Sequence, residues 1–133
     1  CYPEILAQGE ACGCRGIFNP HAEQGQSASI RLGLSALLEM DGVLFAVCDQ
    51  PWLRRSSVER LAADFAAHPG CICALSWQGV RGSPVVFPRD LFPALLSLAG
   101  DRGGSAVIRA NGERLPLVEA SEAQELRDVD ERD

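Results

Sequence analysis

Apolar residues run unbroken from Val43 to Cys48 and stop at Asp49-Gln50-Pro51. A run of this kind predicts a strand buried on both faces, as in a parallel sheet covered by helices. Pro51 ends it, because proline removes a ladder donor. Asp49 is therefore expected at the carboxyl end of a strand, where open α/β sheets place their ligand sites. A single Asp there is either a turn cap or a ligand.

The rest of the pattern alternates. Tyr2 to Cys12 reads as a weak helix and Cys14 to Phe18 as a short strand, broken by Asn19-Pro20. Ile30, Leu34, Leu37 and Leu38 share one helical face, with Ser27 or Ser29 as the N-cap. The small-residue loop before them leads into a helix N-terminus, which suits an anion or polar ligand; an ordinary capped helix has the same pattern. Ser56 and Glu59 form a capping-box pattern ahead of Val58, Leu61, Ala62, Phe65 and Ala66, and His68-Pro69-Gly70 ends that helix. A strand is expected over Cys71 to Trp77, a turn over Gln78 to Gly82, and a short strand over Pro84 to Phe87. Asp90 is placed to cap a helix carrying Leu91, Leu95 and Leu98, closed by Gly100. A glycine-rich loop, Asp101 to Gly104, leads into a short helix from Ser105 to Ala110, stopped at Asn111-Gly112. Leu115 to Val118 reads as an edge strand because of Pro116. Alternation of this order predicts a single α/β domain over residues 1–133 with a mostly parallel sheet.

Composition narrows the partners. The chain has 133 residues and a net charge of −6. Between Glu119 and Asp133 stand seven acids against two arginines, so the body is nearly neutral. No basic stripe of the kind nucleic-acid binding needs is present. No apolar run reaches the ~20 residues of a membrane span, and no signal peptide is visible at the start; a cytoplasmic location is expected. All twelve basic residues are arginine, so any lysine-dependent step must draw on another chain or segment. The six cysteines include Cys12/Cys14 and Cys71/Cys73, but Cys-x-Cys is not the usual zinc-knuckle spacing. Cys48 and Cys73 fall inside apolar runs, where free thiols are commonly buried, and disulfides are not expected.

Five marks then occur in a fixed order. They are Phe18-Asn19-Pro20 with Gly25-Gln26-Ser27-Ala28-Ser29; Val47-Cys48-Asp49-Gln50-Pro51; Arg81-Gly82-Ser83-Pro84-Val85-Val86-Phe87; Gly100-Asp101-Arg102-Gly103; and Asp128-Val129-Asp130. Together they resemble the nucleotidyltransferases that complete the molybdenum cofactor, the MobA-like family, and within it the cytidylyltransferase branch. The resemblance implies a Rossmann-like three-layer nucleotidyltransferase sheet and transfer of CMP from CTP to molybdopterin, with release of pyrophosphate and with Mg²⁺. It implies Asp49 and Asp130 as the catalytic metal ligands, and Asn19, Gly25, Gln26 and Ser27 as nucleotide-binding. It places Arg81, Gly82, Pro84, Gly100, Asp101 and Gly103 on the acceptor side, with a molybdenum hydroxylase as the recipient partner. Such chemistry brings two anions together, so positioning and charge neutralisation carry it. Other readings are a guanylyl or sugar-phosphate nucleotidyltransferase, and a non-catalytic accessory protein.

The chain also departs from the family pattern. The family's first strand and its Leu-Ala-Ala-Gly-x-Ser-x-Arg-type triphosphate loop are not among these residues. Cys1-Tyr2 stands where a Gly-Tyr is usual. Residues 1–133 are thus expected to be the later two-thirds of the family domain, lacking its first βαβ unit. Alone they are expected to be inactive or weak, and to pair with another copy or with further sequence. Glu131-Arg132-Asp133 follows Asp130 where the family has Thr-Pro-Glu-Asp; Asp130 itself matches.

Overall fold

The computed structural model describes residues 3–130; the readings of Cys1-Tyr2 and Asp133 lie outside them. Four strands form one sheet in the order β1-β3-β2-β4, with β1 at Gly42–Phe45, β2 at Cys73–Trp77, β3 at Val80–Pro88 and β4 at Leu117–Glu119. β3 is antiparallel to both β1 and β2, and β4 is parallel to β2. Three of the four strands therefore point the same way, with β3 reversed between them. The reversal comes from a tight hairpin. Gln78 and Gly79 have φ of 50° and 79°, the doubly positive pair that matches strand twist in a two-residue turn. The turn is thus shorter than the predicted Gln78 to Gly82, and Arg81 and Gly82 lie inside β3.

Helices cover both faces. α2 (Gln26–Ser35), α4 (Phe92–Leu96) and α5 (Gly104–Ala110) pack Ile30, Leu34, Phe92, Leu95, Val107 and Ile108 onto Val43, Ala74, Val85 and Phe87. α3 (Arg55–Ala67) packs Leu61 and Phe65 onto Leu44, Cys73, Val86 and Val118 on the other face. Val85, Val86 and Phe87 alternate between the two clusters as the pleat requires. Phe45 and Phe87 meet edge to face, with ring centroids 5.7 Å apart. The three-layer α/β architecture agrees with the sequence reading, and β4 lies at the sheet edge as its proline predicts.

Several local expectations are corrected. β1 stops at Phe45, and Ala46, Val47 and Cys48 are exposed rather than buried. The reason is position: β1 pairs only with β3 among the described residues, and that ladder ends at Phe45–Val85. Cys14 to Phe18 forms no strand, since no neighbouring strand takes it up. α1 (Pro3–Ala11) is helical but buries none of its residues. α2 begins on Gly25, not on a serine cap, and Leu37 and Leu38 fall beyond its end. α3 begins after Arg54, and Glu59 pairs with Arg55 at 2.8 Å instead of boxing Ser56. Asp90 sits inside a 3₁₀ turn, Arg89–Leu91, and pairs with Arg114 at 2.8 Å.

Candidate active site at the carboxyl ends of the strands

β1, β2 and β4 all end on one side of the sheet, and the reversed β3 begins there. Asp49-Gln50, the β2–β3 hairpin, Arg81 to Ser83 and the segment after β4 therefore share one end of the domain. The N-termini of α2, α3 and α5 reach the same end, because each runs antiparallel to the strands beside it. Topology alone gathers five separate stretches of sequence here.

The first contact is between two loops. Gly25 has φ 95° and ψ −173°, and a Cβ placed on it would lie 2.4 Å from Asp101 Oδ1 and 2.6 Å from the Gly100 carbonyl oxygen. Ser27 donates to that same carbonyl twice, from its N–H at 3.2 Å and its hydroxyl at 2.7 Å. A Cβ on Gly103 would meet Gln26 Oε1 at 2.4 Å. The residues expected to bind nucleotide (Gly25, Gln26, Ser27) thus lie directly against three expected on the acceptor side (Gly100, Asp101, Gly103). Asn19 stands apart from this contact. Its Oδ1 accepts from the His21 N–H at 2.9 Å, its Nδ2 donates to Ser29 Oγ at 3.0 Å, and it faces a cleft behind α2.

Two cavities open from this end. One, of about 390 Å³, has an apolar floor of Ile30, Phe45, Val85, Phe87, Leu95 and Ile108, with Gln26, Ser29, Arg81, Ser83 and Ser105 supplying polar atoms. The other, of about 560 Å³, is lined by Gln50, Trp77, Arg81, Gly82, Arg127 and Asp128, among others. Arg81 and Ser83 border both. Pro84 is fully buried within β3 and borders neither.

The second contact brings the two expected metal ligands into one neighbourhood. The Val129 N–H donates to the Asp49 carbonyl at 2.8 Å, so the residue preceding Asp130 is fixed to Asp49 itself. Gln50 Nε2 donates to the Leu126 carbonyl at 3.3 Å. Asp49 Oδ1 is buried with no hydrogen-bond partner. A buried oxygen without a donor is costly unless something binds it, and a hard cation is a fitting partner for a carboxylate. No cluster of three or more His, Cys, Asp or Glu side chains comes together among the described residues. The protein can then offer one or two carboxylates, a number that suits Mg²⁺ shared with substrate phosphates. The donor chemistry fits the implied ion.

Sequence reasoning passed over Glu125. It counted only as one of the seven acids between Glu119 and Asp133, yet its side chain is completely buried. Its Oε1 accepts from the Arg54 N–H at 3.0 Å, and Oε2 from the N–H groups of Ser121 at 2.7 Å and Glu122 at 3.3 Å. Burial alone pushes this carboxyl up; the Ser57 hydroxyl and the Arg54, Ser121 and Glu122 amides outweigh it and hold it below the ordinary value of 4.5. The available signal was the Glu122-x-x-Glu125 spacing, which closes a capping box over the 3₁₀ turn Ala123–Leu126. Because the folded value is lowered, the carboxylate's contribution is fully present above pH 4.5 and is lost as pH falls through the folded value. Glu125→Gln should destabilise the chain by about 2 kcal/mol near neutrality, the scale of hydrogen bonds to a charged group. Urea titrations at stepped pH should show this gap closing as the solution is acidified below 4.5; a gap that stays constant would show that the charge is not what matters.

Cys73 contributes no reactive thiol. Burial first, then the nearby Asp64 and Cys71, push it up to about 12. Cys12 and Cys14 are exposed, in the loop following α1.

A sheet layered between helices, with glycine-rich loops gathered at the carboxyl ends of its strands, defines an α/β domain of the three-layer class. The chain belongs to the MobA-like NTP transferase family, whose domain matches residues 1–116. Asp128 to Asp130 and Glu125 lie beyond the matched range. Among curated proteins the chain is 32% identical over 112 residues to "Purine catabolism protein PucB" of Bacillus subtilis, covering 82% of this chain and 53% of that protein. It is 28% identical over 124 residues to "Nicotine blue oxidoreductase" of Paenarthrobacter nicotinovorans, covering 87% of this chain and 60% of that one. The chain thus spans little more than half the length of either relative. Among solved structures, the homologue of a Mycobacterium tuberculosis protein from Mycobacterium sp. strain JC1 superposes with a TM-score of 0.62 at 22% identity, covering 72% of this chain and 48% of that one, which shows a shared fold. No helix among the described residues is long and apolar enough to cross a membrane.

Proposed function

We propose that this domain serves nucleotidyl transfer, moving CMP from CTP to the phosphate of a molybdopterin-type cofactor. A phosphate oxygen of the acceptor attacks the α-phosphorus of CTP. A new P–O bond forms, the bond to the bridging oxygen of the β-phosphate breaks, and pyrophosphate leaves with that electron pair. Gly25, Gln26 and Ser27 form the nucleotide wall, and Asn19 holds the start of that loop through Ser29 and His21. Arg81 and Gly82, with Gly100, Asp101 and Gly103, orient the acceptor, and Arg81 offsets its charge. Asp49 and Asp130 hold Mg²⁺, which when bound neutralises the charge gathered on the phosphates. No side chain need act as a general base, because the attacking oxygen already carries charge. A molybdenum hydroxylase would receive the product.

The observation that carries this reading is the Val129–Asp49 hydrogen bond beside a buried, partnerless Asp49 oxygen. The curated relatives carry the names of a purine-catabolism protein and an oxidoreductase, and these names share no one nucleotide. The nucleotide is therefore the point to test. Thermal unfolding with CTP, GTP, ATP and UTP, each with and without Mg²⁺, should show stabilisation by CTP only when Mg²⁺ is present. A nucleotide at 100 times its Kd stabilises by about 2.7 kcal/mol, which a melting curve resolves easily. Preferential stabilisation by GTP would shift the reading to guanylyl transfer. The absence of lysine favours a non-catalytic accessory role as the second reading, and stabilisation by a molybdopterin-type cofactor without any response to the four nucleotides would support it.

A further inference from the structure

We infer that Glu125 is a positioning residue for the carboxylate pair, a latch that sets Asp130 against Asp49. The inference rests on the metal role proposed for those two residues. Between residues 120 and 130 only Ala120 and Glu125 are buried, so the segment has almost no apolar anchor. What fixes it is polar. On one side Glu125 takes the N–H groups of Arg54, Ser121 and Glu122. Around it Arg54 pairs with Glu122, while Arg60 donates to Ser57 Oγ at 3.0 Å, the Glu119 carbonyl at 3.1 Å and Ser121 Oγ at 3.3 Å. On the other side the segment reaches the site through Leu126 to Gln50 and Val129 to Asp49. Leu126 also lies so close to Gly82 that a Cβ there would sit 2.7 Å from its Cδ2.

The chain from Glu125 to Asp130 is thus a short span with one end fixed to the start of α3 and the other to Asp49. An apolar side chain could cover this part of α3, but it could not satisfy three converging N–H donors. Releasing the carboxylate frees the anchored end, and the span up to Asp130 is left to the Gln50–Leu126 and Val129–Asp49 hydrogen bonds. A supporting residue of this kind typically changes metal affinity by about 10-fold or more when altered.

The test uses the full 133-residue chain and Mn²⁺ alone, followed by electron paramagnetic resonance. Glu125→Gln should weaken Mn²⁺ binding about 10-fold, while its unfolding stays cooperative and hydrogen exchange at the Val129 amide accelerates. Leu91→Ala, which empties the core on the opposite face, should destabilise the chain and leave Mn²⁺ affinity unchanged. Unchanged affinity in Glu125→Gln, or an equal loss in Leu91→Ala, would overturn the positioning role. Failure of the underlying metal reading has a different signature. The unaltered chain would bind no Mn²⁺, or Asp49→Asn would bind it equally well, and either result removes the positioning role with it.

Discussion

Gly25→Ala should cost the chain about 3 kcal/mol, the upper end of the strain for a residue forced into a glycine-only backbone region. The backbone there, φ 95° and ψ −173°, lies in that region. Space is the second obstacle. The new methyl carbon would stand 2.4 Å from Asp101 Oδ1, 2.6 Å from the Gly100 oxygen and 2.7 Å from the Gly100 carbon. A flexible side-chain end could move aside, but two of those three atoms are backbone. The 100–103 loop must therefore shift, which also breaks the two hydrogen bonds from Ser27 to Gly100. Against a typical total stability of about 5–15 kcal/mol this is a large fraction. Gly33→Ala in the same helix should do the opposite. Nothing lies within 4 Å of its added Cβ, and alanine in a helix interior gains about 0.5–1 kcal/mol over glycine. Chemical denaturation of the two variants should give shifts of opposite sign. Equal shifts would mean that the close approach of the two loops does not exist in solution.

What was legible from residue order was the part decided by local pattern. The strand from Cys73, the helix over Val58 to Ala66, the short helix before Asn111 and the edge strand at Leu117 all follow from spacing and breakers. The ordered motifs pointed to the right family. The errors share one cause: they depend on what lies across space. Ser56 carries a capping pattern, but the donor at the start of α3 is taken by Glu125, 71 positions away. Ser27 looks like a cap, but the helix starts two residues earlier at Gly25, and Ser27 donates both its N–H and its hydroxyl to Gly100. Cys48 looks buried because its run is apolar, and it is exposed because β1 stands at the edge of the sheet. Glu125 is the clearest case. Its local spacing marks a capping box with Glu122, but its burial depends on Arg54 and Ser57, which come from the start of α3, far away in sequence.

The same distinction separates the two acids of the proposed metal pair. Asp49 could be placed from its strand alone, whereas the neighbourhood of Asp130 depends on how the chain returns after β4. That return shows in contacts across space, the Gln50–Leu126 and Val129–Asp49 hydrogen bonds among them. Asp49 therefore makes the more decisive substitution, because its own placement survives the change.

Asp49→Asn should abolish Mg²⁺-dependent nucleotide binding while leaving the free chain as stable as before, or more so. Asparagine keeps the shape, and the backbone carbonyl that accepts from Val129 is untouched. The side-chain oxygen it replaces is buried and has no donor. Removing charge from such a position relieves a desolvation cost, so the free protein has nothing to lose. The ligated protein does. With CTP and Mg²⁺ at 100 times the unaltered chain's Kd, stabilisation is about 2.7 kcal/mol; a 100-fold weaker site leaves about 0.4 kcal/mol under the same conditions. The two effects have opposite signs in a single melting series, so a general loss of fold cannot imitate the result. If the variant melts lower without ligand, Asp49 is a structural cap. If it melts unchanged and CTP stabilises it as strongly as before, the cation is held elsewhere, and the buried oxygen needs a different partner.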